Sequence, residues 1–166
     1  KEPPPKFQYF LLHLVSNSIL FQMKYTTTLD INKPINEVIS LFDNVDNLYQ
    51  WMDGLQSFEG ISGSPGEQGA KSKLKFKMGK REVEMVETIL VKNLPEQFKV
   101  AFEMNGGYNT VSQRFEKVSD SVTRNIVESE FNFTGIMKYL APLLKFMFKA
   151  QSLKYQVAFK KFVEAQ

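Results

Sequence analysis

The stretch that decides the fold is "GAKSKLKFKMGKREVEMVETI", residues 69 to 89. Lysines recur at every second position from Lys71 to Lys77, and small or apolar side chains fill the positions between them. A period of two predicts a strand with one solvated face and one buried face. Gly79-Lys80 follows as a Gly-X pair, which is typical of a type II′ hairpin because glycine accepts a positive φ. We therefore predict an antiparallel hairpin about this turn.

The predicted hairpin has a register that can be checked. It sets Lys77 opposite Glu82, Phe76 opposite Val83, Lys75 opposite Glu84 and Leu74 opposite Met85. Charges then meet opposite charges and apolar side chains meet apolar ones. A phosphate-binding surface would leave the lysines unpaired and add arginines or stacking aromatics. The lysine strip is therefore interpreted as the solvated face of a strand.

The composition excludes several classes of function. The 21 basic and 18 acidic residues are interspersed, so the net charge of +3 disfavours a nucleic-acid partner. The sequence has no cysteine, which excludes disulfides, thiol nucleophiles and thiolate metal sites. His13 is the single histidine and lies in an aberrant N-terminal stretch. We therefore predict one domain that uses no metal and no cofactor.

The first 22 residues, "KEPPPKFQYFLLHLVSNSILFQ", differ from the rest of the chain. Their apolar run is too short and too often interrupted by polar residues for a spanning helix. The cleavage site that a signal peptide requires is also poor. We predict an appendage outside a single domain of residues 23–166, in a cytoplasmic protein. An upstream extension is its favoured origin, and a membrane-surface or export segment is the alternative.

From Met23 onward, strand patterns alternate with turn residues. "KYTTTLDI" predicts a first strand, and "KPINEVISLFDNVDNLYQWM" predicts two short helices. Further strands are predicted at 55–62, 70–78, 81–92, 97–104, 109–118 and 122–133, separated by Gly, Pro and Asx turns. A three-residue loop in the last hairpin pairs Val118 with Val122, Glu116 with Arg124 and Phe115 with Asn125.

Residues 136–164 predict a long closing helix with two apolar stripes on nearly opposite sides. The first stripe is Tyr139, Leu143, Phe146, Ala150, Leu153 and Val157. The second stripe is Leu144, Phe148, Tyr155, Phe159 and Phe162. We predict that the first stripe faces the sheet. The second stripe is then buried because the helix kinks at Pro142 or because the short helices cover it. Alternatively, it contacts a membrane or a partner.

The order of strand, two short helices, six strands and a long helix is that of the helix-grip fold. The segments "INKPINEVISLFDN", "NLYQWMDGLQSFEGISGSPGEQGAKSKL" and "LVKNLPEQF" resemble parts of the SRPBCC superfamily. That group includes START lipid-transfer domains, pollen-allergen-like proteins and polyketide cyclase/dehydrase-like proteins. The resemblance covers residues 24–164. It implies an α+β fold in which a curved antiparallel sheet of about seven strands wraps on the long C-terminal helix, with a ligand cavity between them.

Carried onto this sequence, the resemblance implies that inward strand faces and the first helix stripe line the cavity. The implied apolar wall residues are Leu74, Phe76, Met78, Val83, Met85, Val100, Phe102, Met104, Val111, Phe115, Val127, Phe131, Phe133, Tyr139, Leu143, Phe146 and Met147. Each of them could equally belong to a filled core. The phenylalanine and methionine content of the set favours an apolar ligand, because both side chains suit flat or flexible apolar molecules.

Strict alternation also turns five polar side chains inward: Ser72, Glu87, Gln113, Asn125 and Ser129. Glu87 is the one catalytic candidate. In continuous register with Met85 it enters the cavity, where desolvation would raise its pKa. A β-bulge near Val86 would instead return it to water, and we favour this bulge. The last three polar residues are expected to hydrogen-bond to one another or to orient a ligand carbonyl or hydroxyl.

We therefore expect a monomeric protein that binds or carries a hydrophobic small molecule, lipid-like or polycyclic. A cofactor-independent cyclase or dehydratase that uses the Glu87 carboxyl group is the enzymatic alternative. The third hypothesis is an accessory protein that contacts a membrane weakly, or docks on a partner, through the second helix stripe. The sequence leaves open whether any reaction is catalysed.

Overall fold

The computed structural model describes residues 21–104, 107–133 and 136–166. The strands are β1 (Phe21–Ile31), β2 (Leu55–Ser62), β3 (Lys71–Met78), β4 (Arg81–Asn93), β5 (Gln97–Met104), β6 (Gly107–Ser119) and β7 (Val122–Phe133). β1 starts at Phe21, so it takes in the last two residues of the predicted appendage. The remainder of the appendage, including His13, lies outside the described residues.

The seven strands form one antiparallel sheet in the order β1-β7-β6-β5-β4-β3-β2. β1 and β2 follow each other in the chain but lie at opposite edges of the sheet. The connection between them contains helix α1 (Ile35–Phe42), a 3₁₀ turn (Val45–Asn47) and helix α2 (Leu48–Trp51). These short elements carry the chain from one edge to the other. The long helix α3 (Met137–Glu164) follows β7 and packs principally against β1.

The β3–β4 hairpin has the predicted register, from Lys77 opposite Glu82 to Leu74 opposite Met85. Gly79 adopts a φ of +64°, in the left-handed region that favours glycine. On the solvated face, the Nζ atoms of Lys73 and Lys75 lie 3.0 and 3.4 Å from the two carboxylate oxygens of Glu84. The lysine strip is thus the outer face of β3, and its two central lysines are ion-paired.

The last hairpin follows the prediction except at its tip. Glu116 pairs with Arg124 and Phe115 pairs with Asn125. Val122 pairs with Ser119 rather than with Val118, because the register of β6 shifts between Lys117 and Ser119. Val118 is left unpaired in the ladder and half exposed. The predicted Val118–Val122 pair is therefore wrong.

The predicted orientation of the long helix is also wrong. Phe148, in the second stripe, packs on β7, with its ring centroid 5.0 Å from that of Phe131 and 5.5 Å from that of Phe133. Phe159, further along the same stripe, is fully buried against α1 and β6. Leu143 and Phe146, in the first stripe, are exposed. The second stripe carries the aromatic rings that fit the aromatic clusters of the domain, and this packing decides which side of α3 is buried.

Candidate functional site

The strand register determines which side chains share the inner face of the sheet, the face that α3 packs on. Ser72 of β3 lies opposite Glu87 of β4, and Glu87 lies opposite Phe102 of β5. Phe102 in turn lies opposite Asn109 of β6, which lies opposite Phe131 of β7. Because directly opposed residues project to the same side, these five form one row across the inner face. This row mixes two apolar rings with three polar side chains.

The inner face is only partly covered. Leu74, Phe76 and Phe115 are buried within apolar clusters, so they act as core residues. Several inward side chains of the central strands remain partly exposed, namely Val83, Met85, Glu87, Phe102, Val111 and Gln113. α3 packs principally against the edge strand β1, which leaves the centre of the inner face more open. We call the space bordered by these partly exposed side chains the inner groove.

Glu87 lies on the inner face, in contrast to the favoured expectation. β3 and β4 pair without interruption from Met78–Arg81 to Lys71–Thr88, so there is no bulge near Val86. The register shift of β4 lies between Ile89 and Val91 instead. Glu87 stays in phase with Met85 and projects inward. Burial raises the pKa of its carboxyl group from the ordinary 4.5 to about 7.

Below α3 lies a second set of polar side chains, which lack hydrogen-bond partners. Asn125 is fully buried, and neither its amide nitrogen nor its amide oxygen has a partner among the described residues. The same holds for the hydroxyl group of Thr27 and for the side-chain oxygen of Gln156. The Ser129 hydroxyl lies beside the Tyr25 hydroxyl, which is its hydrogen-bond partner. Gln156 lies over Asn125, since its Nε2 donates to the Asn125 backbone carbonyl at 3.4 Å. The predicted mutual hydrogen bonds of Asn125 and Ser129 are therefore absent from the described part of the chain.

Sequence reasoning missed the contribution of β1 and α3 to this polar set. Tyr25 lies opposite Ser129, and its hydroxyl donates to the Phe148 carbonyl at 3.0 Å and lies 2.9 Å from the Ser152 hydroxyl. Burial raises the pKa of Tyr25. The signal was present in "KYTTTLDI", whose alternation turns Tyr25 and Thr27 to one side. The position of Gln156, one turn after Ser152 on α3, was a second signal.

The predicted ligand residues at the start of α3 lie outside the groove. Tyr139, Leu143, Phe146 and Met147 are all exposed at the helix surface. Met85 and Met104 instead line a cleft of about 300 Å³ together with Lys73, Glu84, Val86 and Glu103. The cleft lies where β4 continues past its last pair with β5. Met78, another predicted ligand residue, is the last residue of β3 and pairs with Arg81 across the hairpin turn.

No three His, Cys, Asp or Glu side chains in the described part of the chain come together as metal ligands. None of the described helices has the length and apolar character needed to cross a membrane.

The protein is similar to known proteins in its architecture. No family model matches the sequence, and no curated protein matches it. The Zhui aromatase/cyclase from Streptomyces sp. R1128 has a similar structure, with a TM-score of 0.72 at 11% identity over 86% of this chain and 94% of its own. Norcoclaurine synthase from Thalictrum flavum, solved with dopamine and hydroxybenzaldehyde, has a TM-score of 0.68 at 16% identity over 90% of this chain and 91% of its own.

A third structure, that of Ara h 8.0201, matches with a TM-score of 0.66 at 11% identity, over 87% of this chain and 99% of its own. Identities this low establish the fold and leave ligand and chemistry undecided. The open seven-stranded antiparallel sheet, the two short helices after β1 and the long C-terminal helix are the elements of the helix-grip fold. The chain therefore has the helix-grip fold, as its sequence predicts.

Proposed function

We propose that the protein binds a small, mainly apolar molecule that carries hydroxyl or carbonyl groups. Its apolar part would lie in the inner groove, and its polar group would reach the unpartnered side chains below α3. The observation that carries this proposal is the set of buried, unpartnered polar atoms of Asn125, Thr27 and Gln156. Buried polar groups normally have partners, and each one without a partner costs about 1–3 kcal/mol. A bound polar group would remove that cost.

The groove also suggests the character of the ligand. Phe102, Val111 and Met85 supply apolar surface, so a flat or lipid-like molecule would lose water on binding. Asn125 offers both a donor and an acceptor, which suits a hydroxyl or carbonyl group. Solved structures with this fold include an aromatase/cyclase and a synthase holding dopamine and hydroxybenzaldehyde, which is compatible with such a ligand. The protein would act in the cytoplasm as a monomer.

The test is to extract the purified protein with organic solvent and to identify the released molecules by mass spectrometry. Val111→Trp would fill the groove, since Val111 lies inward between Val100 and Ser129. Ser112→Trp adds the same ring to the outer face and serves as the matched control. We expect an apolar molecule from the wild type and from Ser112→Trp, and little from Val111→Trp. Equal recovery from all three, or no recovery from the wild type, would contradict the proposal.

An enzymatic function is the second candidate, because a carboxyl group with a pKa of about 7 is suited to proton transfer near neutral pH. Glu87 would donate or accept a proton at a ligand held in the groove, as in a cyclisation or dehydration. The test is incubation of the extracted molecule with wild type and Glu87→Gln. Conversion with a pH profile that inflects near 7, lost in the variant, would support it. Binding without conversion would contradict the enzymatic function and would support only the carrier function.

A further inference from the structure

The first half of α3 exposes a continuous apolar surface. Its members are Ile136, Tyr139, Leu140, Leu143, Phe146 and Met147, which we call the α3 apolar face. At 100° per residue they span an arc of about 120°. Phe146 is 86% exposed and Leu143 is 79% exposed. Single exposed apolar residues are ordinary, whereas a contiguous set on one helix face indicates a contact surface.

The charge of α3 points to the kind of surface that it would contact. The helix contains Lys138, Lys145, Lys149, Lys154, Lys160 and Lys161, and its acidic residue is Glu164, at the far end. Lys145 and Lys149 are exposed and form no ion pair within the described residues. A helix with exposed rings and leucines, and with lysines as its only charges over this half, fits an anionic lipid surface.

The topology adds further positive charge at the same end of the sheet. β7 ends at Phe133, just before α3, and β1 starts at Phe21 beside it. The antiparallel order places the β3–β4 turn at this end as well, with Lys80 and Arg81 exposed. Basic residues therefore lie both on α3 and on the turn beyond the central strands. Exposed Glu82 and Glu103 also lie at this end of the sheet, so the lysines of α3 supply its unbalanced positive charge.

We propose that the α3 apolar face docks on the surface of an anionic membrane. The apolar side chains enter the boundary between headgroups and acyl chains. Lys145 and Lys149 lie on the other side of the helix and attract the anionic surface at longer range. Tyr139 and Phe146 suit this boundary because aromatic rings partition into membrane interfaces. A protein partner would require acidic residues to match the lysines and a complementary apolar patch; a lipid surface supplies both charge and apolar depth without a specific shape. This contact is independent of the ligand in the inner groove.

The test is flotation of the full chain with phosphatidylcholine vesicles, with and without phosphatidylserine. We expect binding that needs the anionic lipid and falls as salt rises. Replacing Lys145 and Lys149 by Gln should weaken binding about fivefold for each lysine removed. The pair Leu143→Ser and Phe146→Ser should weaken it by about tenfold or more, since both side chains lose their burial in lipid. A matched control is Val118→Ser, an exposed apolar residue at the other end of β6.

Insertion can be measured directly because the chain has no cysteine. A polarity-sensitive dye attached through Leu143→Cys should shift to the blue on addition of phosphatidylserine vesicles. The same dye attached through Val118→Cys should not shift. Wild-type binding with unshifted dye at position 143 would overturn the proposal. So would wild-type failure to bind vesicles, as expected if another protein or the N-terminal residues 7–20 cover this face.

Discussion

Glu87 shows how a single register position sets the chemistry of the inner groove. Its folded pKa of about 7 lies above the ordinary 4.5, so the folded protein holds a proton that the unfolded chain has lost between these values. The free energy of unfolding should therefore fall as pH rises from about 4.5 to 7. The full shift corresponds to about 3 kcal/mol, and most of it, about 2–3 kcal/mol, falls between pH 5 and pH 8. Urea unfolding at pH 5 and pH 8 measures this difference.

The variant Glu87→Gln isolates the contribution of this carboxyl group. Its glutamine carries no titrating proton, so the variant should be more stable than the wild type at pH 8 by about 2 kcal/mol and nearly equal at pH 5. Glu82→Gln, an exposed position on the same strand, is the control and should keep the wild-type pH dependence. An unchanged pH dependence in Glu87→Gln would mean that Glu87 is solvated.

Asn125 gives a second prediction at this scale. Leucine has a similar size and no hydrogen-bonding groups, so Asn125→Leu removes two unpartnered atoms from a fully buried position. We expect the ligand-free variant to gain about 1–2 kcal/mol of stability by urea unfolding, and to release less ligand on extraction. A variant that is less stable and still binds ligand would show that the amide serves packing within the fold.

At the scale of the element, α3 separates what sequence periodicity can predict from what it cannot. The two stripes of the helix were visible in the sequence, and the limits 136–164 agree closely with Met137–Glu164. The side that faces the sheet could not be predicted, because both stripes are apolar. Phe148 decides the orientation by meeting Phe131 and Phe133 of β7, which are distant in sequence.

This assignment of helix faces predicts unequal effects for two neighbouring phenylalanines. Phe148→Ala removes a ring packed between α3 and β7 and should cost about 2–3 kcal/mol of stability. Phe146→Ala removes a ring that is 86% exposed and should change stability by less than about 0.5 kcal/mol. Thermal and urea unfolding of the two variants make the comparison. A larger loss of stability in Phe146→Ala than in Phe148→Ala would contradict this assignment and support the helix orientation expected from sequence.

β4 shows the same limit in a strand. Its alternation is readable as far as Glu87, and the hairpin register follows from turn chemistry and charge pairing. The position of its bulge depends on how β5 pairs with it between Ile89 and Val91, and that is a tertiary choice. Leu90 stays exposed there while Ile89 is buried. The bulge was expected near Val86, a few residues too early, because the local sequence of β4 does not favour one position for a bulge over another.

At the scale of the whole molecule, the order of the helices and strands was predictable from sequence. Which inward side chains are buried and which stay partly exposed was not. Turn residues fixed the strand limits, and two checked hairpins fixed the antiparallel order. The partial opening of the central strands follows from α3 packing principally on β1, which no local pattern encodes. The unpartnered state of Asn125 and Gln156 likewise depends on which helix face turns inward.

The extent of the domain is a further prediction at this scale. We propose that the folded unit begins at β1, since Phe21 pairs with Phe133 and packs in its cluster. Deletion of residues 1–20 should leave a cooperative thermal transition close to that of the full chain. Deletion through Thr26 is the comparison, because it removes the strand that α3 packs on. Loss of cooperative folding in the shorter deletion would show that residues before β1 belong to the domain.

The central claim is that the inner groove receives a ligand, and methyl NMR tests it most directly. The probe is 8-anilinonaphthalene-1-sulfonate, an aromatic molecule with a sulfonate and an anilino N–H. Titration should shift the methyl signals of Val111 and Val127, which face inward, and leave those of Ile126, the neighbour of Val127 in β7, which faces outward. Shifts confined to Leu143 on the surface of α3, or no shifts at all, would contradict the account.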